Sequence, residues 1–290
     1  MKTGSHPTIR ASERHPVKAR DVATYIEELA PLETAVDGDV NGFMFGDENC
    51  RVQGVFVCWS PTREVIRQAI TSRASMIVCH EIPFFYHSSS PWFEERRTET
   101  KEANLERFKL LLQHGICIYR AHSNWDVVPV HGNSDAFGAA IGFSKEVARG
   151  KLSRVYEIAP MRLHELADQV KQRMGMERIR VVGDLSNVVT KVGTACGGLG
   201  QFFNYPEELV ALGAETAVMG EMLDHTMRHA LELNLALIET SHIGSENFGL
   251  SNLAKLVRER LPDLGVAFID SGNPWAWVWR PVRGDLCRRS

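Results

Sequence analysis

Short apolar runs alternate with amphipathic stretches along most of this chain, and their order predicts its architecture. Val52–Cys58 and Ala74–Cys79 are compact runs rich in β-branched residues, of the kind that fills a sheet interior. Between them Ser60 offers a helix cap and Pro61 a first helical position, predicting a helix over Thr62–Ser72. A second helix is expected at Lys101–His114, closed by Gly115, and a third strand at Ile116–Ala121. The second half continues in the same way. Strands at Arg154–Ala159 and Ile179–Val182 flank a helix at Arg162–Met174, and a strand at Val189–Ala195 runs into Cys196-Gly197-Gly198-Leu199-Gly200. A helix at Pro206–Leu212, a strand at Thr216–Met219, a helix at Asp224–Leu233 and a strand at Leu235–Glu239 come next, before a helix at Leu250–Arg260 and a strand at Val266–Ile269.

Alternation of this kind is the mark of an α/β protein with mostly parallel or mixed sheets. The expected organisation is a disordered leader over 1–20, a first α/β lobe over 21–150 and a second over 151–290. The junction is expected near Gly150–Ser153, with the C-terminal segment packing back on the first lobe.

Composition narrows the classes of function. At 44% apolar, 24% charged and a formal net charge of −3, the 290 residues give no reason to expect nucleic acid as a partner. No apolar run approaches the roughly 18 residues needed to cross a bilayer. Met1–Asp21 is polar and basic, without the apolar core of a secretory signal. The six cysteines form no CxxC pair, and Cys58, Cys79 and Cys117 fall in strand-like runs. That pattern suits reduced thiols in a cytoplasmic protein better than a disulfide framework.

The candidate chemistry gathers at three strand ends: Cys79-His80-Glu81, His122-Ser-Asn-Trp-Asp126, and His242-Ile-Gly-Ser-Glu246. Ligands of open parallel sheets collect beyond the carboxyl ends of the strands, so these residues can converge although they lie far apart in sequence. Imidazole with carboxylate is a ligand set for zinc, iron, manganese or nickel, and a bridging carboxylate can hold two ions together. His242 and Glu246 share one face if a helical turn starts there. Glu81, with Glu221 behind it, is a candidate general base, and each is equally readable as a solvated acid. Arg120 and His122 are candidate substrate contacts. Phe84, Phe85, Trp92, Trp275 and Trp277 are candidates for stacking on a flat ring, or for packing an interface. Gly197-Gly198-Leu199-Gly200 lacks the Lys-Ser/Thr of a P-loop, which favours a tight turn near the metal pocket over a phosphate cradle.

In order along the chain, Cys79-His80, His122-x-x-x-Asp126 with Gly132-Asn133-Ser134-Asp135, Gly197-Gly198, Gly220-Glu221 with His225, His242-x-x-x-Glu246 and Ile269-Asp270…Asn273-Pro274 resemble the Nif-three-like dinuclear metal-centre proteins. These are the GTP cyclohydrolase 1 type 2 homologues. The resemblance spans Val52 to Pro274 and implies one or two divalent ions per chain at strand ends between the lobes. It implies one ion on His80, Asp126 and Glu246, and a second on the residue at position 79 with His242 and Glu246. It further implies a ring-like homohexamer. Cys79 departs from the family, which usually carries histidine there. A thiolate ligand and a packed core thiol are both open readings of it.

The expected function is a metal-dependent hydrolase acting on a C–N bond of a small cyclic amide or heterocycle. A non-catalytic metal-binding regulator or scaffold and a two-metal phosphoesterase are its rivals.

Overall fold

The computed structural model describes residues 16–85 and 102–276. The elements, in order, are α1 (Ala19–Leu29), β1 (Gly42–Phe45), β2 (Gly54–Cys58), α2 (Arg63–Thr71), β3 (Met76–Cys79), α3 (Glu102–Gln113), β4 (Cys117–Arg120), α4 (Ser123–Asp126), α5 (Asn133–Ala140), β5 (Glu146–Arg149) and β6 (Arg154–Arg162). They continue as α6 (Leu163–Arg173), β7 (Arg180–Val182), β8 (Val188–Ala195), α7 (Asn204–Ala211), β9 (Thr216–Met219), α8 (Asp224–Glu232), β10 (Ala236–Glu239), α9 (His242–Arg260) and β11 (Gly265–Ile269). None of the described helices is long and apolar enough to cross a membrane.

The chain divides into two compact units. The first comprises the described residues up to Ala136 together with Phe248–Ile269; the second comprises Phe137–Asn247 and Asp270–Ala276. Gly150–Ser153, the expected junction, is instead the hairpin turn joining β5 to β6 within one sheet. The expected leader shortens as well, because α1 begins at Ala19; residues 1–15 lie outside the described residues.

In the first unit a five-stranded sheet runs β1-β4-β3-β2-β11, parallel throughout except for β1. Its three central strands, β4, β3 and β2, are buried on both faces, so side-chain alternation sorts residues between two cores. Val55, Val57, Met76, Val78, Cys117 and Tyr119 point to one face, covered by α1 and α9. The stripe Ala19, Val22, Ala23 and Ile26 supplies α1's contribution, at the spacing of one helix face. Phe56, Cys58, Ile77, Cys79 and Ile118 point to the other face, with α2 and α3. The cap of α2 is Thr62, whose hydroxyl accepts from Val65 N at 3.2 Å, two residues past the expected Ser60. The expected return of the C-terminal strand takes the form of β11 pairing with β2.

The second unit holds a six-stranded mixed sheet, β5-β6-β8-β9-β10-β7, in which β8, β9 and β10 are parallel. Val155, Ala195, Leu209, Ala217, Met219, Leu235 and Leu237 fill its core. Both units follow the rule that places a site: each parallel strand delivers its last residue to the same sheet edge.

Candidate metal centre

β3 ends at Cys79, so the next residue, His80, leaves the sheet at its carboxyl edge and is completely buried. Its Nδ1 lies 3.1 Å from the carbonyl oxygen of Ala121, which can only accept, so Nδ1 carries the proton and Nε2 presents a lone pair. That lone pair lies 3.5 Å from Asp126 Oδ1. β4 ends one strand over and leads into His122, which precedes the single turn α4 bearing Asp126. His122 Nδ1 donates to Asp39 Oδ2 at 2.9 Å, again leaving Nε2 as the coordinating nitrogen. Its ring centroid is 4.6 Å from that of His80. One donor atom each from His80, His122 and Asp126 lie within 4.8 Å of one another. Glu81 Oε1 stands 4.0 Å from His122 Nε2.

The surroundings fix this trio. Asn133 Nδ2 donates to Asp126 Oδ1 at 2.7 Å. Asp39 accepts from Ser123 N and Oγ and from Asn41, besides His122, and binds the Arg120 guanidinium at 2.7 Å. Burial opposes its charge, yet these hydrogen bonds and the neighbouring imidazole hold its carboxyl well below the usual carboxylate range. Asp39 is therefore a fixed anion that sets the His122 ring.

A second group lies in the other unit. His242 and Glu246 stand one turn apart at the start of α9, with His242 Nε2 3.6 Å from Glu246 Oε2. The helix begins eight residues before the expected Leu250, and this earlier start puts both side chains on one face. His242 Nδ1 donates to Glu221 Oε2 at 3.0 Å, and Gln201 Nε2 steadies the same oxygen at 3.0 Å. Each His in the two groups thus uses one nitrogen for an orienting acceptor and keeps the other for coordination, the arrangement of metal-bound imidazoles. Gly197 has φ +61°, and a Cβ there would stand 1.9 Å from Glu246 Oε1. The glycine stretch after β8 therefore makes room for the carboxylate. Gly197→Ala is expected to displace Glu246 and lower bound metal while leaving the far-ultraviolet circular dichroism unchanged; elemental analysis checks it.

Several expected roles change. Cys79 points into the α2/α3 core beside Cys58 and Ile77, away from the trio, and burial pushes its thiol up to about 12. The structure brings His80, Asp126 and Glu81 to one carboxyl edge and leaves the Cys79 sulfur out. Arg120 is not placed to meet a substrate: it is buried, donating to Asp39, to Val40 O and to His80 O. Glu221 orients His242, and His122, expected as a substrate contact, belongs with the ligand trio. Phe84 stacks on Phe108 in the core at a centroid distance of 4.0 Å. Phe85 and Trp275 are about half exposed. Trp92 and Trp277 lie outside the described residues. Asp39, Asn41, Asn133 and Gln201 were not foreseen. The pairing of Asn133 with Asp126 was within reach, since both sit in the motif that carries the resemblance.

Neutral imidazole nitrogens and carboxylate oxygens, held in place by second partners, fit a divalent ion such as zinc, iron, manganese or nickel. The two groups provide for one or two such ions per chain.

The sequence profile of the Duf34/NIF3 (NGG1p interacting factor 3) family matches residues 17–274. A Clostridium perfringens protein called GTP cyclohydrolase 1 type 2 homolog is 29% identical over 265 residues, covering 88% of this chain and 96% of its own length. A Clostridium acetobutylicum protein of the same description is 26% identical over 260 residues, covering 86% and 93%. Among solved structures, a Bacillus cereus protein related to NIF3 superposes with a TM-score of 0.77 at 18% identity, over 91% of this chain and all of that one.

Proposed function

The chain belongs to the Duf34/NIF3 family, and from that premise we propose that it is a divalent-metal-dependent hydrolase of a C–N bond in a small cyclic amide or heterocycle. The observation that carries this reading is the His80–His122–Asp126 trio, with each imidazole fixed through its other nitrogen. A bound divalent ion supplies Lewis acidity toward a carbonyl and lowers the pKa of its water toward neutrality. His80, His122 and Asp126 hold the first ion. His242 and Glu246 serve the second, and Glu81 adds a carboxylate beside His122. Glu81 is favoured over Cys79 because its oxygen is 4.0 Å from a ligand nitrogen while the thiol faces the core. Asp39 and Glu221 keep the imidazoles of His122 and His242 in the coordinating tautomer. The names of the two clostridial relatives direct attention to purine-like rings.

The test is turnover of a panel holding GTP, simple cyclic amides and phosphate esters by protein purified without chelator. Ring opening that disappears with chelator and returns with metal supports the proposal. Turnover of the esters alone would replace it with a phosphoesterase, and no turnover by metal-loaded protein would leave a binding protein. Glu81→Gln is expected to lower bound metal, whereas Cys79→Ser is expected to leave it unchanged. Alkylation of Cys79 is expected to be slow with or without chelator. Metal loss in Cys79→Ser would restore the thiol as a ligand. Self-association as a homohexamer is part of the same proposal, and a monomer in sedimentation velocity would remove it.

A further inference from the structure

Cys50 and Cys117 lie 67 positions apart in sequence, yet the Cys50 thiol donates to the Cys117 sulfur at 3.7 Å. Both are free, Cys50 half-buried and Cys117 buried. The contact is built into the fold. Cys117 opens β4, inside the sheet, with its sulfur on the α1/α9 face and 3.5 Å from Ser75 O. The turn carrying Cys50 follows β1 and is pressed onto that point, where Gly46 (φ +84°) lies so close that a Cβ on it would stand 2.8 Å from Cys117 Cα. Cys50 N donates to Asp47 O at 3.1 Å, and Cys50 O accepts from Ala19 N at 3.0 Å. The outer thiol is therefore tied to a surface turn, and the inner one to a strand.

We propose that Cys50 and Cys117 form a redox modification site, in which a peroxide converts the contacting thiols to a disulfide. Cys50, the more accessible thiol, reacts first. Its sulfur attacks the peroxide, the O–O bond breaks, and Cys50 becomes a sulfenic acid with release of water when the oxidant is hydrogen peroxide. The Cys117 sulfur then displaces the hydroxyl, the S–S bond forms, and a second water leaves. Two thiols are oxidised by two electrons, and one peroxide is reduced to two waters. Burial, and next the neighbouring Cys50, push the Cys117 thiol up, so Cys117 is not the thiol that meets peroxide first. Contact at 3.7 Å compensates for a low thiolate fraction by holding the reactants together. The bond must shorten the contact to about 2.05 Å, and the surface turn is the part able to give.

The site stands at the amino end of β4, whereas His122 follows its carboxyl end. Oxidation would staple the turn that holds the start of α1 to the central part of the sheet, closing a long loop of the unfolded chain. The reading does not depend on the hydrolase proposal.

The experiment treats the full reduced chain with stoichiometric hydrogen peroxide. Thiols are then counted by alkylation in denaturant, and a non-reducing digest is mapped by mass spectrometry. The expected result is a chain lighter by two hydrogens, a fall from six alkylatable cysteines to four, one peptide pair joining Cys50 to Cys117, and full recovery with dithiothreitol. The oxidised chain should melt at a higher temperature than the reduced one. Cys50→Ser, at a half-buried position, should fold normally and show neither the cross-link nor the melting shift. Six thiols remaining, Cys50 passing to sulfinic acid with Cys117 still alkylatable, or a cross-link between another pair would each overturn the proposal.

Discussion

A Glu246→Ala variant is expected to lose most of its bound divalent metal while keeping its fold. Glu246 is a buried carboxylate in the first turns of α9 and supplies, with His242, the donors of the second group, so its loss should release the ion proposed there. Removing an outer partner of a metal-bound His costs roughly 10- to 100-fold in affinity. Glu221→Gln, which alters only the orienting carboxylate of His242, is expected in that range. Glu246→Ala should fall beyond it, with His242→Ala close behind. Competition against a chromogenic chelator measures the affinities, and elemental analysis the stoichiometry. A variant that binds as much metal as the parent would remove Glu246 from the centre.

Asp39→Ala should produce the largest loss of stability, about 3–5 kcal/mol, the usual cost of breaking a buried ion pair by removing one partner. The Arg120 guanidinium would remain buried with only carbonyls to face, and His122 and Ser123 would lose their common acceptor. Urea unfolding of the metal-free proteins measures it. A difference below 1 kcal/mol would mean that the network is dispensable. The pH dependence follows from the direction of the shift. A carboxyl held below its usual range stabilises the fold fully above the pKa of the unfolded chain, about 3.9, and loses that contribution as pH falls through the lowered native value. The gap between parent and variant should thus be constant near neutrality and close only in strong acid. Metal affinity should drop as well, because His122 loses the bond that sets its tautomer.

Much of this was legible in the sequence. β9, Thr216–Met219, coincides with its expected span, and α2, α3, α6, β8 and β10 lie within a residue or so of theirs, because short buried strands and 3.6-residue stripes are strong local signals. β1, Gly42–Phe45, was not foreseen, since a four-residue antiparallel edge has too few positions to show alternation. α1 had the apolar spacing of a helix, but its first residues fell inside a segment set aside as leader. At the site, His80, Asp126, His242 and Glu246 were visible as donors at strand ends. What failed was the assignment of faces. Cys79 precedes His80, and period-two alternation in β3 turns its sulfur to the core shared with Ile77. Asp39 was invisible for another reason: its importance lies in a contact across 83 positions, and nothing local marks it.

α9 begins in one unit and ends in the other. Its first turns carry His242 and Glu246, while Leu250, Leu253, Ala254 and Val257 belong to the core of the first unit, as does Val266 of β11. During synthesis β2 therefore cannot gain its β11 neighbour until the chain through Ile269 has emerged. Synthesis must hold β2, β3 and β4, fully buried in the finished molecule, in an unfinished state until α9 and β11 follow. A premature stop before Leu250 would then leave β2, β3 and β4 without this cover, as a substrate for proteases.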